Sequence, residues 1–288
     1  MTTKTKKLRK LTVTGDSPNL SIAQWISLIV VALFVLVPFY TTAVAGFKSV
    51  GELRTAPFAL PQSWDPVNFT NILMGGAFFK FLWNSFVIAS FTVALTLIVA
   101  SMAAFTLTHI KFWGRQYLTS LFMLGLLFPF AAAIIPLFIT IRNFGLLDNP
   151  AAVILPQVAF NLAFSMLLLR SFFQDLPYEL IEAARMDRCG YVQIFWYVVL
   201  PLSLPILTTV GIFAFINSWN NYLLPLIMLN NDQSFPWPLG IMQYQGQYST
   251  DWPKVLAFLT LTTIPALGFF LLAQRYIISG LTGGAIKG

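Results

Sequence analysis

Six long apolar runs punctuate the chain, at 22–45, 81–107, 117–141, 151–169, 205–229 and 255–273, with polar stretches between them. Each run reaches or nears the ~20 residues that carry a helix across a hydrocarbon core of about 30 Å. The runs are continuous and lack the in/out alternation of barrel strands, so helices are the expected spanning element. The pattern predicts an all-α polytopic membrane protein. It has a polar segment at 1–21, a six-span domain over 22–273 and a tail at 274–288. The basic start, the first apolar run and Ala43-Val44-Ala45 also have the outline of a cleavable signal. That run is long for such a purpose and is read as a retained helix.

The polar stretches differ in kind. Segment 47–80 carries Pro57, Pro61 and Pro66, which break regular structure, and 65–73 is expected to form a short helix leading into the second span. The turn at 109–116 is short and contains Gly114, which makes spans two and three antiparallel neighbours. Segment 142–150 closes the next hairpin. The 230–254 loop, with Trp237, Tyr244, Tyr248 and Trp252, has the composition of an interfacial aromatic rim. Prolines 38, 129, 136, 156, 225 and 265 fall within or near spans, either bending helices around a cavity or serving as packing kinks.

Charge orients the spans. With the N-terminus inside, the inner segments hold Lys4, Lys6, Lys7, Arg9, Lys10, Lys111, Arg115, Arg170, Arg185, Arg188, Arg275 and Lys287 of the 17 cationic residues; the outer segments hold Lys48, Arg54, Lys80, Arg142 and Lys254. That bias places both termini and the 173–203 loop in the cytoplasm. It also accounts for the net charge of +7 without nucleic acid, the basic N-terminal cluster facing anionic headgroups instead. A chain 57% hydrophobic and 9% charged needs lipid as its solvent.

Several chemistries are excluded. No Asp, Glu, Lys or Arg lies within the runs, which disfavours ion-coupled secondary transport, where an ionisable group is generally held at depth. No G-x-x-x-x-G-K-[ST] loop is present to cradle ATP, and no Ser/His or paired-Asp constellation supports hydrolysis, so no catalytic residue is assigned. The lone His109 and lone Cys189 build neither a metal site nor an internal disulfide. Asn68-Phe69-Thr70 matches a glycosylation sequon, a short and unspecific pattern.

The polar stretch EAARMDRCGYVQIFWYVVLPLSLP, residues 182–205, sits between two apolar runs. Pro177 suits a helix start, and Glu179 and Glu182 lie near the positive end of the helix dipole. A helix of about three turns from Tyr178 is expected, with Leu180, Ala183, Ala184 and Asp187 on neighbouring faces at i, i+3, i+4 and i+7. Ala183 and Ala184 allow close approach of a partner's backbone, and Glu182 has the spacing to pair with Arg185. Gly190 ends or bends the helix, Tyr191 onward continues along the interface, and Pro201 and Pro205 turn into the fifth span. Residue types alone read equally as an amphipathic helix on the membrane surface.

Glu182-Ala183-Ala184, then Asp187, then Leu200-Pro201 resembles the cytoplasmic EAA loop of the membrane subunits of binding-protein-dependent ABC importers. Phe81-Leu82-Trp83-Asn84-Ser85, Pro136-Leu137, Gly145-Leu146-Leu147, Ile194-Phe195-Trp196, Ser218-Trp219-Asn220 and the glycine-bearing end at 280–288 extend the likeness to the carbohydrate, maltose-type branch. The resemblance implies the type I (MetI-like) permease fold in the inner membrane, with a homologous second permease, two ATPase subunits and an extracytoplasmic solute-binding protein as partners. It implies no cofactor in this chain, ATP and Mg²⁺ being held by the ATPases. Glu182, Ala183, Ala184, Arg185, Asp187, Arg188 and Gly190 would receive the ATPase, and Gly283, Gly284 and Lys287 would reach toward it. Two positions depart from the family pattern. Arg188 stands where Gly usually follows the Asp, which suggests a helix running longer before its bend, and Asn221 stands where an acid often follows Trp-Asn.

Within the spans the polarity is neutral. Gln157, Asn161 and Ser165 recur every four residues on the fourth span; Asn217 and Asn221, with Trp219 and Asn220, make a similar set on the fifth. Amides and aromatic faces suit the path of a hydroxyl-rich sugar, and they suit interhelical hydrogen bonding equally. The competing functional readings are the same architecture moving a polyamine, a glycerophosphate or an ion, and a membrane scaffold that transports nothing.

Overall fold

The computed structural model describes residues 21–282, all helices and connections apart from one isolated bridge between Gln245 and Thr250. The expected tail residues Gly283, Gly284 and Lys287 and the basic N-terminal cluster lie outside the described residues. Ser21 opens α1 (Ile22–Ala45) with a capping box: its hydroxyl accepts from the Gln24 amide, and Gln24 Oε1 accepts from the Ser21 amide. Most of α1 stands away from the remaining helices; its buried residues are Val44 and Ala45, at the far end.

From there the chain folds against itself through α2 (Val50–Thr55) and α3 (Val67–Met74). Lys48 is only 1% exposed, and its ammonium is held by the carbonyls of Ala56 at 2.8 Å and Pro57 at 3.0 Å. Asn68 Nδ2 donates to the carbonyls of Gly46 and Lys48. Its amide therefore ties this segment to the end of α1.

The centre is α4 (Ala77–His109), which packs along α7 (Ala151–Gln174) and α11 (Leu204–Trp219). Ala89, Thr92, Thr96, Ala100 and Ala104 form a buried strip of small side chains on α4. Such strips let helix backbones approach where lipid supplies no hydrophobic drive between them. α14 (Trp252–Thr282) packs on α11 and α1.

Two expected spans are not straight. The third run, 117–141, is divided between α5 (Arg115–Gly125) and α6 (Phe130–Asn143), which meet at 102°. Pro129, at the N-cap of α6, has no amide to continue a helix and disfavours helical geometry at Phe128. The fifth run, 205–229, is α11 followed by a break at Asn220 and the short α12 (Leu223–Met228). The Asn220 amide closes α11 on the Ile216 carbonyl, and Asn221 Oδ1 accepts from Leu224 N–H to start α12. Among the described residues, four helices are long and apolar enough to span by themselves; the count reaches six if each of two bent pairs, 115–125 with 130–143 and 191–202 with 204–219, is one span.

The 230–254 loop departs from the aromatic rim expected of it. Asn84 Nδ2 donates to the carbonyls of Gln233 at 2.9 Å and Phe235 at 3.0 Å, and Ser85 Oγ accepts from Trp237 N–H at 2.7 Å. These bonds draw α13 (Trp237–Gly240) onto the start of α4, where Tyr244 packs on Phe258 with ring centroids 5.8 Å apart. Trp237 and Tyr244 thus belong to a folded cap, while Tyr248 and Trp252 stay exposed.

Candidate functional site

α8 (Tyr178–Met186) starts at Pro177 and places Glu179 in its first turn and Arg185 in its last, charges that favour both ends of its dipole. Ile181 and Ala184 are buried in a cluster with Phe105 and Leu107 of α4, Met166, Leu169 and Phe173 of α7, and Leu207 and Val210 of α11. α8 thus shares one apolar cluster with three long helices and packs most closely on the 191–199 segment. Glu182, Ala183, Arg185, Asp187 and Arg188 are exposed, and Met186 is 84% exposed.

Three details differ from the sequence reading. Ala184 packs inward, which leaves Ala183 as the small residue offered to a partner. Arg185 turns from Glu182 to Tyr191: its Nη2 donates to the phenol oxygen at 2.8 Å, and the guanidinium carbon lies 5.0 Å from the ring centroid. The third concerns Arg188. The helix does not run longer but ends at Met186, and Arg188 adopts a left-handed φ of 62°. Arg188 N–H donates to the Arg185 carbonyl and Cys189 N–H to the Ala184 carbonyl, the two bonds of a Schellman motif. These bonds and the half-buried Cys189 hold an arginine in a conformation that glycine adopts freely.

Beyond the motif, Gly190 N–H donates to Gln193 Oε1 at 2.8 Å and α9 (Tyr191–Ile194) begins. A π-helical turn (Phe195–Val199) and α10 (Leu200–Leu202) continue it. At Ser203 the chain bends by 80° into α11. Ser203 is fully buried, and its hydroxyl donates to the Val199 carbonyl at 2.7 Å.

The amide positions converge elsewhere. Gln157, Asn161, Asn217 and Asn221 line one cavity of about 450 Å³, with Phe130, Phe160, Ser218 and Leu224 completing its wall. Asn217 Nδ2 lies 3.4 Å from Asn161 Oδ1, a long bond across α7 and α11. Gln157 Oε1 accepts from Thr92 Oγ1 at 3.2 Å, while Gln157 Nε2 is buried without a partner. That arrangement leaves a donor free beside a wall with no charged side chain. Phe130 and Phe160 meet edge to face, their centroids 5.0 Å apart.

Other expected path residues lie apart from this cavity. Ser165 is buried on α7 away from it, and Trp219 stacks on Phe215 at 5.5 Å. Asn220 Nδ2 donates back to the Ile216 carbonyl. Phe130, Phe160 and Ser218 escaped the sequence reading. Ser218 lies one residue from Asn217, but the phenylalanines carry no periodic signal in so phenylalanine-rich a chain.

Residues 96–282 match the family model described as binding-protein-dependent transport system inner membrane component. The diacetylchitobiose uptake system permease protein of Streptomyces coelicolor is 35% identical over 264 residues, covering 90% of this chain and 87% of that protein. The trehalose/maltose transport system permease protein of Thermococcus litoralis is 33% identical over 267 residues, covering 91% and 95%. An arabinooligosaccharides transport system permease protein of Bacillus subtilis is 31% identical over 279 residues, covering 94% and 99%. Among solved structures, a chain of a bacterial ABC transporter involved in import of the acidic polysaccharide alginate superposes with a TM-score of 0.78. Its identity is 24%, and the match covers 88% of this chain and 95% of that one.

Proposed function

The chain belongs to the family of binding-protein-dependent transport system inner membrane components, and from that membership we propose that it forms half of an importer's path for a neutral, hydroxyl-rich sugar or oligosaccharide. Family membership brings an ATPase and a solute-binding protein as partners. In this reading the chain pairs with a homologous permease and two ATPase subunits, with both termini and α8 on the cytoplasmic side. ATP and Mg²⁺ in the partner subunits supply the energy. Glu182, Ala183, Arg185, Asp187 and Arg188 present the docking surface, and Ile181 and Ala184 pass its motion to α4, α7 and α11, so that the spans rock around the path.

The observation that carries the cargo assignment is the cavity lined by four amides and two aromatic rings. Its volume of about 450 Å³ falls within the ~300–1,000 Å³ typical of small-molecule sites. The Asn161, Asn217 and Asn221 amides supply donors and acceptors suited to sugar hydroxyls, and the absence of charge from the wall disfavours a polyamine or a glycerophosphate. The saccharide cargoes named for the relatives point the same way.

The test is uptake by the assembled transporter, with stimulation of its ATPase by the loaded binding protein across a sugar panel. Replacing Asn161 and Asn217 together by Leu is expected to lower uptake and alter sugar preference while ATP hydrolysis persists. Unchanged rate and preference would remove the path assignment and leave these amides as interhelical bonds. Stimulation by a charged solute and by no sugar would remove the cargo assignment.

A further inference from the structure

A second polar cavity, of about 700 Å³, opens at the end of the molecule that carries α8, between the start of α5 and Arg170 near the C-terminal end of α7. Arg115, Gln116 and Ser120 of α5 and Arg170 of α7 line it, and Trp113 and Tyr117 stand at its rim. Among the described residues its wall holds two guanidinium groups and no carboxylate, and neither arginine takes part in an ion pair. Arg170 Nε is buried without a hydrogen-bond partner. α5 opens without a side-chain cap, so the Gln116 and Tyr117 amides lack acceptors within their helix.

We propose that this cavity binds the phosphate of an anionic phospholipid from the adjacent leaflet. Two guanidinium groups, free amides and a serine hydroxyl suit a phosphate diester, with bidentate arginine bonds as the strongest element. A lipid is favoured over a free anion by what surrounds the cavity. Trp113 is 94% exposed and Tyr117 77%, aromatic side chains of the kind that settle at headgroup depth. Leu121 and Leu124 continue outward along α5, exposed and positioned to lie beside acyl chains. The cytoplasmic placement of α8 enters only in naming the leaflet as the inner one. The binding itself depends on the cavity and stands or falls apart from the cargo.

The experiment places the assembled transporter in phosphatidylcholine vesicles carrying bromine-labelled phosphatidylglycerol or, separately, bromine-labelled phosphatidylcholine at equal mole fraction. Quenching of Trp113 fluorescence is read as the difference from Trp113→Phe. The anionic label is expected to quench more strongly, with local enrichment of roughly fivefold for each arginine. Arg115→Gln with Arg170→Gln removes the preference, and Arg115→Lys with Arg170→Lys, which keeps the charges, retains it. Inorganic phosphate leaves the quenching unchanged. Equal quenching by both labels overturns the proposal, as does a preference that survives the glutamine pair. Displacement by inorganic phosphate would assign the cavity to a free anion instead, and shielding of Trp113 only when the ATPase subunits are bound would assign it to a protein interface.

Discussion

The 230–254 loop and the 175–190 loop both join apolar helices, both hold charged residues, and they treat those residues in opposite ways. The 230–254 loop is bonded to its own chain over long sequence distances. Asn84 and Ser85 of α4 hold its backbone, the Asp148 carboxylate accepts from the amides of Asn230 and Asn231, and Gly240 sits against two phenylalanines. The 175–190 loop buries Ile181 and Ala184, ties Arg185 to a tyrosine six residues on, and leaves Glu179, Glu182, Asp187 and Arg188 exposed. The difference separates a scaffold from a presented surface. A segment that satisfies its polar groups within the chain gains order from them, while one that leaves them outward leaves them open to contact.

The sharpest way to break this comparison is a bulky residue on α8. Ala183→Trp adds a large side chain at an exposed position, so the melting temperature of the purified chain should hardly move. Uptake by the assembled transporter should fall about tenfold, within the usual coupling range of about 1–3 kcal/mol. Equal loss of uptake and thermal stability would return α8 to the scaffold class. The 230–254 cap should show the reverse. A Cβ at Gly240 would lie 2.5 Å from Phe258 Cζ and 2.7 Å from Phe81 Cδ2. Gly240→Val should therefore cost about 1–3 kcal/mol through overpacking, read as a lower melting temperature, while the protein that remains folded transports normally.

The contrast was only partly legible in the sequence. Long apolar runs announce helices because lipid leaves few alternatives. The same apolar composition fills a straight span and a bent pair, so the 102° break near Pro129 carried a weak signal and the one at Asn220 almost none. Gln157 and Asn161, four apart on α7, could be assigned to one face, and they meet Asn217 and Asn221 at one cavity. Phe130 and Phe160 could not, because membrane phenylalanines are common and nothing in their spacing points inward. Trp237 and Tyr244 read as a rim because aromatic residues at a headgroup and under a cap have the same composition. Only Asn84 and Ser85, distant in sequence, decide between the two.

Arg188→Gly sharpens the comparison with a smaller effect. An arginine at φ 62° carries strain on the order of 1–3 kcal/mol, part of which is offset because glycine loses more entropy on folding. The variant should slow hydrogen exchange at the amides of residue 188 and Cys189, a gain of about 1 kcal/mol or less. Uptake should nonetheless fall, because the exposed guanidinium is lost from the proposed docking surface. Stability and transport moving in opposite directions is what a presented surface requires; unchanged uptake would confine position 188 to helix termination.

The smallest effect concerns acid. Asp148 has a φ of 61°, and its carboxylate lies below its usual range chiefly because the Asn230 amide donates to it, with a further donation from Asn231. A carboxyl lowered in the folded state contributes stability that is whole above its ordinary pKa of 3.8 and drains as pH falls through the lower folded value. Asparagine tolerates the left-handed conformation and still presents a carbonyl oxygen, so Asp148→Asn keeps the turn and removes only the charge. Melting temperature followed down through this acid range should therefore drop less steeply in the variant than in the parent, with little difference between them in how 175–190 exchanges its amides. If the two chains lose stability in parallel, the 230–254 loop is held by its neutral bonds to Asn84 and Ser85, and Asp148 serves only to shape the turn.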